Sequence, residues 1–286
     1  MAEGPFLVIG ATGMLGRAVS DALRHRGSPH RAATKAEVNL SRDDSVLTAL
    51  AEVQPSTVIN CAAWTDVDGA EANEEAATEL NGHAVGRLAA ACRAARATLV
   101  HYSTDYVFDG QGTSPYPVDA PIRPLNAYGR SKALGEQLIA AESGHGLHAL
   151  VLRTSWLYAP WGKNFVRTIA SAARQRSTLR VVSDQRGRPT SAEHLAAITF
   201  ALLDAGASGT MHATDGGETT WYDFARRIAA FANPACTVEP CTSAEFPRPA
   251  RRPSYSVLDL AETGALIGPL TDWRANLDSV LARLEP

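Results

Sequence analysis

Tyr128 and Lys132 stand four residues apart in the segment Tyr128-Gly129-Arg130-Ser131-Lys132. On a helix that spacing puts a phenol and an ammonium on one face. An unperturbed tyrosine titrates near ~10, poorly matched to proton transfer at neutral pH, and an adjacent cation stabilises the phenolate and lowers that value. Alone, the pair is a common accident of amphipathic helices. Its weight comes from what precedes it. The run His101-Tyr102-Ser103-Thr104-Asp105-Tyr106-Val107-Phe108 brings two hydroxyls to the end of an apolar strand-like stretch. Either Ser103 or Thr104 can bond a carbonyl oxygen and polarise it for hydride attack while the tyrosine delivers a proton. The other then caps the following segment.

A hydride needs a carrier, and the chain start offers a place for one. Gly10, Gly13 and Gly16 form GxxGxxG directly after the apolar run Phe6-Leu7-Val8-Ile9. A strand-to-helix turn this tight requires residues without Cβ, and it aims backbone N–H groups and the helix dipole at a diphosphate. The end of the second strand selects the cofactor. His30-Arg31-Ala32-Ala33-Thr34-Lys35 contains no acid before Glu37. Arg31 or Lys35 can pair with a 2′-phosphate, which favours NADPH and leaves NADH usable.

These groups require a scaffold of alternating strands and helices, and the first half reads that way. Strands are expected at Phe6–Ile9, 29–33, 57–61, 98–102 and 148–153, with helices from the glycine loop through Arg24 and over 42–53, 74–95 and 126–141. Strands alternating with helices imply parallel pairing and a doubly wound α/β sheet of Rossmann type. The second half is less regular, with helices expected at 164–176, 191–203 and 221–232, short strands at 179–182 and 210–212, and a proline-rich stretch at 234–253. The expected division is a dinucleotide-binding domain over 1–153, completed by 177–186 and 209–232. A smaller substrate-binding lobe then takes 154–176, 187–208 and 233–286.

Composition narrows the partners. A 286-residue chain with a formal net charge of -3 and no long run of like charges gives no electrostatic reason to expect nucleic acid or an anionic membrane. No apolar stretch is long enough for a membrane span, and no signal core opens the chain, so the expected compartment is the cytoplasm. The four cysteines, Cys61, Cys92, Cys236 and Cys241, lack zinc-ligand spacing and are expected as free thiols.

The glycine loop with Thr104, Tyr128 and Lys132 resembles the extended short-chain dehydrogenase/reductase superfamily. Within it the chain is most similar to the dTDP-4-dehydrorhamnose reductase family. The strings that carry the resemblance are INCAAWTDVD (59–68), HYSTDYVFDG (101–110), PLNAYGRSKALGE (124–136), RTSWLY (153–158), DQRGRPT (184–190), TTWYDFA (219–225) and PARRPSYSVLD (249–259).

The resemblance implies reduction of the 4-keto group of a dTDP-linked 6-deoxy-4-ketohexose, dTDP-4-dehydro-L-rhamnose or a related deoxysugar. It assigns Thr104 to polarise the ketone, Tyr128 to donate the proton and Lys132 to orient the cofactor ribose. Cofactor contacts are implied for Gly10, Thr12, Gly13, Met14, Leu15, Gly16, Arg31, Asn39, Leu40, Cys61, Ala62 and Ala63. Val67, Asp105, Tyr106 and Trp156 match positions that shape the sugar pocket; an indole suits the apolar face of a sugar ring. Arg188, Arg251 and Arg252 are candidates for the nucleotide diphosphate, because guanidinium forks fit phosphate oxygens.

The chain departs from the family pattern in two places. Ala18 stands where some members carry an acid that shares a divalent metal between subunits, although Glu193 keeps the later acidic position. No metal is therefore expected, and a homodimer remains open. Asn39-Leu40 replaces a common Asp-Leu pair near the adenine; an amide still bonds a base. The rival enzyme readings are a sugar-nucleotide epimerase or a dehydratase, and dehydration is disfavoured because Tyr106, not a second acid, follows Asp105. The rival of another class is a non-catalytic NADP-binding regulatory subunit, against which the intact Thr104, Tyr128 and Lys132 argue.

Overall fold

The computed structural model describes residues 4–284. Six strands form one parallel sheet: β1 (Phe6–Ile9), β2 (His30–Ala33), β3 (Thr57–Asn60), β4 (Thr98–Thr104), β5 (Ala149–Thr154) and β6 (Gly209–His212). Their order is β6-β5-β4-β3-β1-β2. Uninterrupted apolar runs suit such strands because both faces are covered. Leu7, Ile9, Val58, Leu99 and Val151 point to one face, and Val8, Ile59, Val100, Leu150 and Leu152 to the other. Each such side chain, fully removed from water, contributes about 1.5–3 kcal/mol.

Helices cover both faces. On the first lie α2 (Asp43–Val53), α3 (Ala84–Ala94) and α4 (Ala127–Gly144), which bury Leu50, Leu88 and Ile139. On the second lie α1 (Met14–His25) and α5 (Ala192–Asp204), which bury Val19 and Leu195. This is an α/β Rossmann-type fold. Strand order reverses between β1 and β3, so the connections leaving their carboxyl ends go to opposite faces and open a crevice.

Five segments differ from the sequence expectation. Thr178–Val182 does not extend the sheet but pairs in parallel with Thr237–Cys241. That partner strand lies inside the stretch read as proline-rich coil, where Pro240 is tolerated in a two-stranded ribbon with an open edge. The helix Trp221–Ala232, assigned to the nucleotide domain, packs instead on Phe165–Gln175 in a separate core with Tyr158, Val181 and Leu277. Conversely, α5 was assigned to the lobe but lies on the sheet beside α1, because Leu195, Ile198, Phe200 and Leu202 are all buried and need a sheet face to cover.

The helix expected over 74–95 is interrupted. Glu74–Thr78 runs into a π turn, Glu79–His83, before α3. The wide turn brings the buried Asn81 inward, where its amide takes the Trp64 N–H (2.8 Å) and donates to Trp64 O and Ser131 Oγ (3.0 Å each). Those bonds tie the loop after β3 to α4, the helix that carries Tyr128 and Lys132.

Candidate active site

A cavity of about 820 Å³ opens at the carboxyl ends of β1, β3, β4 and β5. One side is the glycine loop. Gly10 has φ +78°, and a Cβ there would lie 2.8 Å from Ala62 N. A Cβ on Gly16 would run into Gly10 O, so Gly16 lets α1 pack against the loop and does not itself line the cavity. Gly13 heads α1 with no side-chain cap, which leaves the N–H groups of the first turn directed at the cavity beside Thr12, Met14 and Leu15. Cys61, Ala62 and Ala63 continue the lining directly beside the loop, and Val38, Asn39 and Leu40 line it as well. Bare backbone at a helix N-terminus, then an apolar slot with one amide, fits a dinucleotide.

The two basic candidates at the end of β2 separate. Arg31 pairs with Glu52 at 2.6 Å outside the cavity, whereas Lys35 lines it. Of the two, only Lys35 is on the cavity lining.

Thr104 ends β4, and Tyr128 and Lys132 sit in the first turns of α4, whose start is set by Asn126 accepting the Gly129 N–H at 2.8 Å. All three line the cavity. The Thr104 hydroxyl donates to Asp105 Oδ1 at 3.0 Å and accepts the Tyr106 N–H at 3.2 Å. Burial pushes the Tyr128 phenol up to about 12, with a hydrogen bond from Thr104 pulling the other way. The expected lowering by Lys132 is not seen, because that ammonium points down into the sheet. Its Nζ donates to Tyr102 O at 2.5 Å and meets His101 Nε2 at 3.2 Å.

Asn60 joins the same group of bonds: its Oδ1 accepts the Ala62 N–H at 3.1 Å, and its amide nitrogen faces His101 Nδ1 at 3.1 Å. Burial holds His101 neutral and lowers Lys132 to about 8.

On the substrate side, Val67, Asp105, Tyr106 and Trp156 line the cavity as expected. Asp105 is 2% exposed, and burial raises its carboxyl to about 7 despite bonds from Ser256 and Thr104. The Tyr106 ring meets Tyr128 edge-on at 6.1 Å. Trp156 stacks on Trp221, which the site reading had passed over, with centroids 3.7 Å apart.

The three arginines assigned to the diphosphate do not line the cavity. Arg188 is spent on main chain, donating to Leu258 O (3.0 Å) and Gly217 O (2.5 Å). Arg252 pairs with Asp68 at 2.7 Å, and Arg251 is exposed. Lys163 and Asn164 reach the cavity instead. Their signal was present in the chain, since Gly162 precedes a cation and an N-cap asparagine at the head of the helix Phe165–Gln175.

Glu193 is ion-paired with Arg283, and Ala18 is buried. Among the described residues no three His, Cys, Asp or Glu side chains gather to hold a metal, the four cysteines are free, and no helix is long and apolar enough to cross a membrane.

Residues 5–285 match the family model described as RmlD substrate binding domain. The chain is 43% identical over 277 residues to a probable dTDP-4,6-dihydroxy-2-methyloxan-3-one 4-ketoreductase of Streptomyces antibioticus, spanning 95% of this chain and 92% of that one. It is 41% identical over 283 residues to a dTDP-4-dehydrorhamnose reductase of Streptomyces griseus, spanning 95% and 91% of the two chains. Among solved structures, a dTDP-4-dehydrorhamnose reductase of Bacillus anthracis in complex with NADP superposes with a TM-score of 0.90 at 31% identity, covering 98% of each chain.

Proposed function

The chain belongs to the RmlD substrate binding domain family and is an NAD(P)-dependent oxidoreductase, and from that premise we propose that it uses NADPH to reduce the 4-keto group of a dTDP-linked 6-deoxy-4-ketohexose. The observation that carries the reading is that Thr104, Tyr128 and Lys132 share one cavity with the glycine loop. The bound nicotinamide supplies the hydride. This chain's residues supply alignment and the proton.

The Thr104 hydroxyl turns its proton from Asp105 Oδ1 to the ketone oxygen and draws electron density from the carbonyl carbon. With its phenol pushed up to about 12, Tyr128 rests protonated at neutral pH. It is a weak acid toward water and an adequate one toward an alkoxide, so its proton leaves only as negative charge develops on the oxygen. Lys132, still an ammonium at neutral pH although burial lowers it to about 8, takes the ribose hydroxyls. Lys35 takes the 2′-phosphate, which replaces the role expected of Arg31. Val67, Asp105, Tyr106 and Trp156 enclose the sugar, and Lys163, whose neighbours Gly162 and Asn164 touch Met14 of the glycine loop, meets the cofactor diphosphate. In this reading the sheet with α1 to α5 is the nucleotide-binding part, joined at the glycine loop by the segment 161–164. The packed unit of 165–175, 178–182, 221–232 and 237–241 is the core of the substrate lobe.

The test is the loss of NADPH absorbance with dTDP-4-dehydro-L-rhamnose, run beside an NADH control. Consumption equal to the dTDP-rhamnose formed is the expected result. Intact NADPH binding with no oxidation, on this or a related 4-ketohexose, overturns the reading and favours a binding role. Turnover without net cofactor consumption indicates an epimerase.

A further inference from the structure

Trp156 lies where the sheet passes into the lobe, two residues beyond the end of β5. Its φ is +47°, a left-handed conformation that a bulky side chain holds only where its surroundings impose it. Two parts of the lobe grip the indole. Trp221, the first residue of the helix Trp221–Ala232, stacks on it with planes 11° apart. Gly187 backs it so closely that a Cβ there would lie 2.6 Å from Trp156 Cε2 and 2.7 Å from Cζ2. The two grips are one unit, because Arg186–Gly187 pairs antiparallel with Thr219–Thr220, immediately before Trp221. Trp221 is braced in turn by the Phe165 ring at 4.4 Å. Flanking bonds fix the backbone: the Thr190 N–H donates to Trp156 O at 3.2 Å, and Ser155 Oγ donates to Arg188 O at 2.6 Å.

We propose that Trp221 and Gly187 are positioning residues that clamp Trp156 in its left-handed conformation and set where its indole closes the sugar side of the cavity. Gly187 stands outside the cavity lining and acts on substrate through Trp156 alone; Trp221 also reaches the lining, and its clamp role is the part of its effect that needs Trp156. The inference rests on the reading of Trp156 as the sugar wall. Glycine at 187 follows from the clamp, since its φ is not in the left-handed region and only the indole excludes a methyl group.

The experiment compares Trp221→Leu, Trp221→Phe and Gly187→Ala, each in the natural chain and in a Trp156→Ala background. Steady-state kinetics with the sugar nucleotide, NADPH affinity from nicotinamide fluorescence, and urea midpoints are measured for all. In the natural background, Trp221→Leu and Gly187→Ala lower kcat/KM for the sugar nucleotide about tenfold, the scale of one lost aromatic stack, with most of the change in KM and NADPH affinity unmoved. Trp221→Phe, which still stacks, recovers most of it. In the Trp156→Ala background both effects on kcat/KM vanish, and Gly187→Ala no longer lowers the urea midpoint because the ring it struck is gone. A full-sized effect that persists without Trp156, or a silent Gly187→Ala, overturns the clamp. The urea cycle needs no substrate, so the clamp is decided even if the proposed reduction fails.

Discussion

The two walls of the cavity are built on different principles. The sheet side, with Thr104, Tyr128, Lys132 and the glycine loop, rests on long regular elements and on buried polar groups that satisfy one another. Asn60, His101 and Lys132 form one such chain of bonds. The lobe side rests on strand pairs of two residues, Leu157–Tyr158 with Thr190–Ser191 and Arg186–Gly187 with Thr219–Thr220. It is fastened by single side chains, among them Arg188 across two loops and Asp68 between Arg248 and Arg252. The contrast suggests a division of labour: chemistry sits where periodic structure fixes geometry, and selectivity sits where a few tertiary contacts can be exchanged.

Substitutions probe that contrast, beginning on the sheet side. Tyr128→Phe should reduce kcat about 10²–10⁴-fold while NADPH still binds, as read by turnover against cofactor fluorescence. A smaller effect would move the proton donor away from α4.

Asp105 tests how tightly that side is sealed. Its folded value of about 7 lies above the usual carboxylate range, so the group favours folding in its protonated form. Stability it contributes at low pH is lost as pH rises from about 4 through about 7. Asp105→Asn should therefore flatten the stability curve over that window and raise the unfolding free energy at pH 8, read from urea unfolding, by an amount on the order of a few kcal/mol. An unchanged slope would mean that water reaches the carboxyl.

The cofactor rim gives a paired test. Lys35→Ala should raise KM for NADPH roughly tenfold and leave NADH untouched, while Arg31→Ala should change neither by more than about twofold. The reverse pattern would require the Arg31–Glu52 pair to open on binding.

The lobe fastening carries the smallest effect. Hydrogen bonding to Arg252 holds Asp68 down to about 2, so its contribution is present above the ordinary aspartate range and is lost as pH falls through about 2. Arg252→Ala should cost about 1 kcal/mol at neutral pH, measured by urea unfolding, and the difference should close under strong acid.

Legibility in the sequence followed the same division. Continuous apolar runs located β1 to β5 to within two residues at either end, and the spacing of Tyr128 and Lys132 was meaningful because the helix around them is regular. The failures came where placement depends on distant partners. An arginine fits a phosphate or a carbonyl equally well, and nothing local to Arg188 reveals Leu258 O. The strand Thr237–Cys241 is an edge that no periodicity announces. The direction of the Tyr128 shift was missed because spacing reports that Lys132 shares its face, while the sheet beneath decides where the ammonium points.

The π turn at Glu79–His83 has an evolutionary consequence. Such a turn is what remains when one residue is inserted into an α-helix, the surplus being absorbed in a single widened loop of backbone. Removing Gly82 would restore a uniform helix and rotate one flank against the other by about 100°. Either Asn81 would leave Ser131, or Val85 and Leu88 would leave the sheet. The surplus residue is thus locked in from both ends, and it is held to glycine as well, since a Cβ on Gly82 would lie 2.6 Å from Leu134 Cδ2.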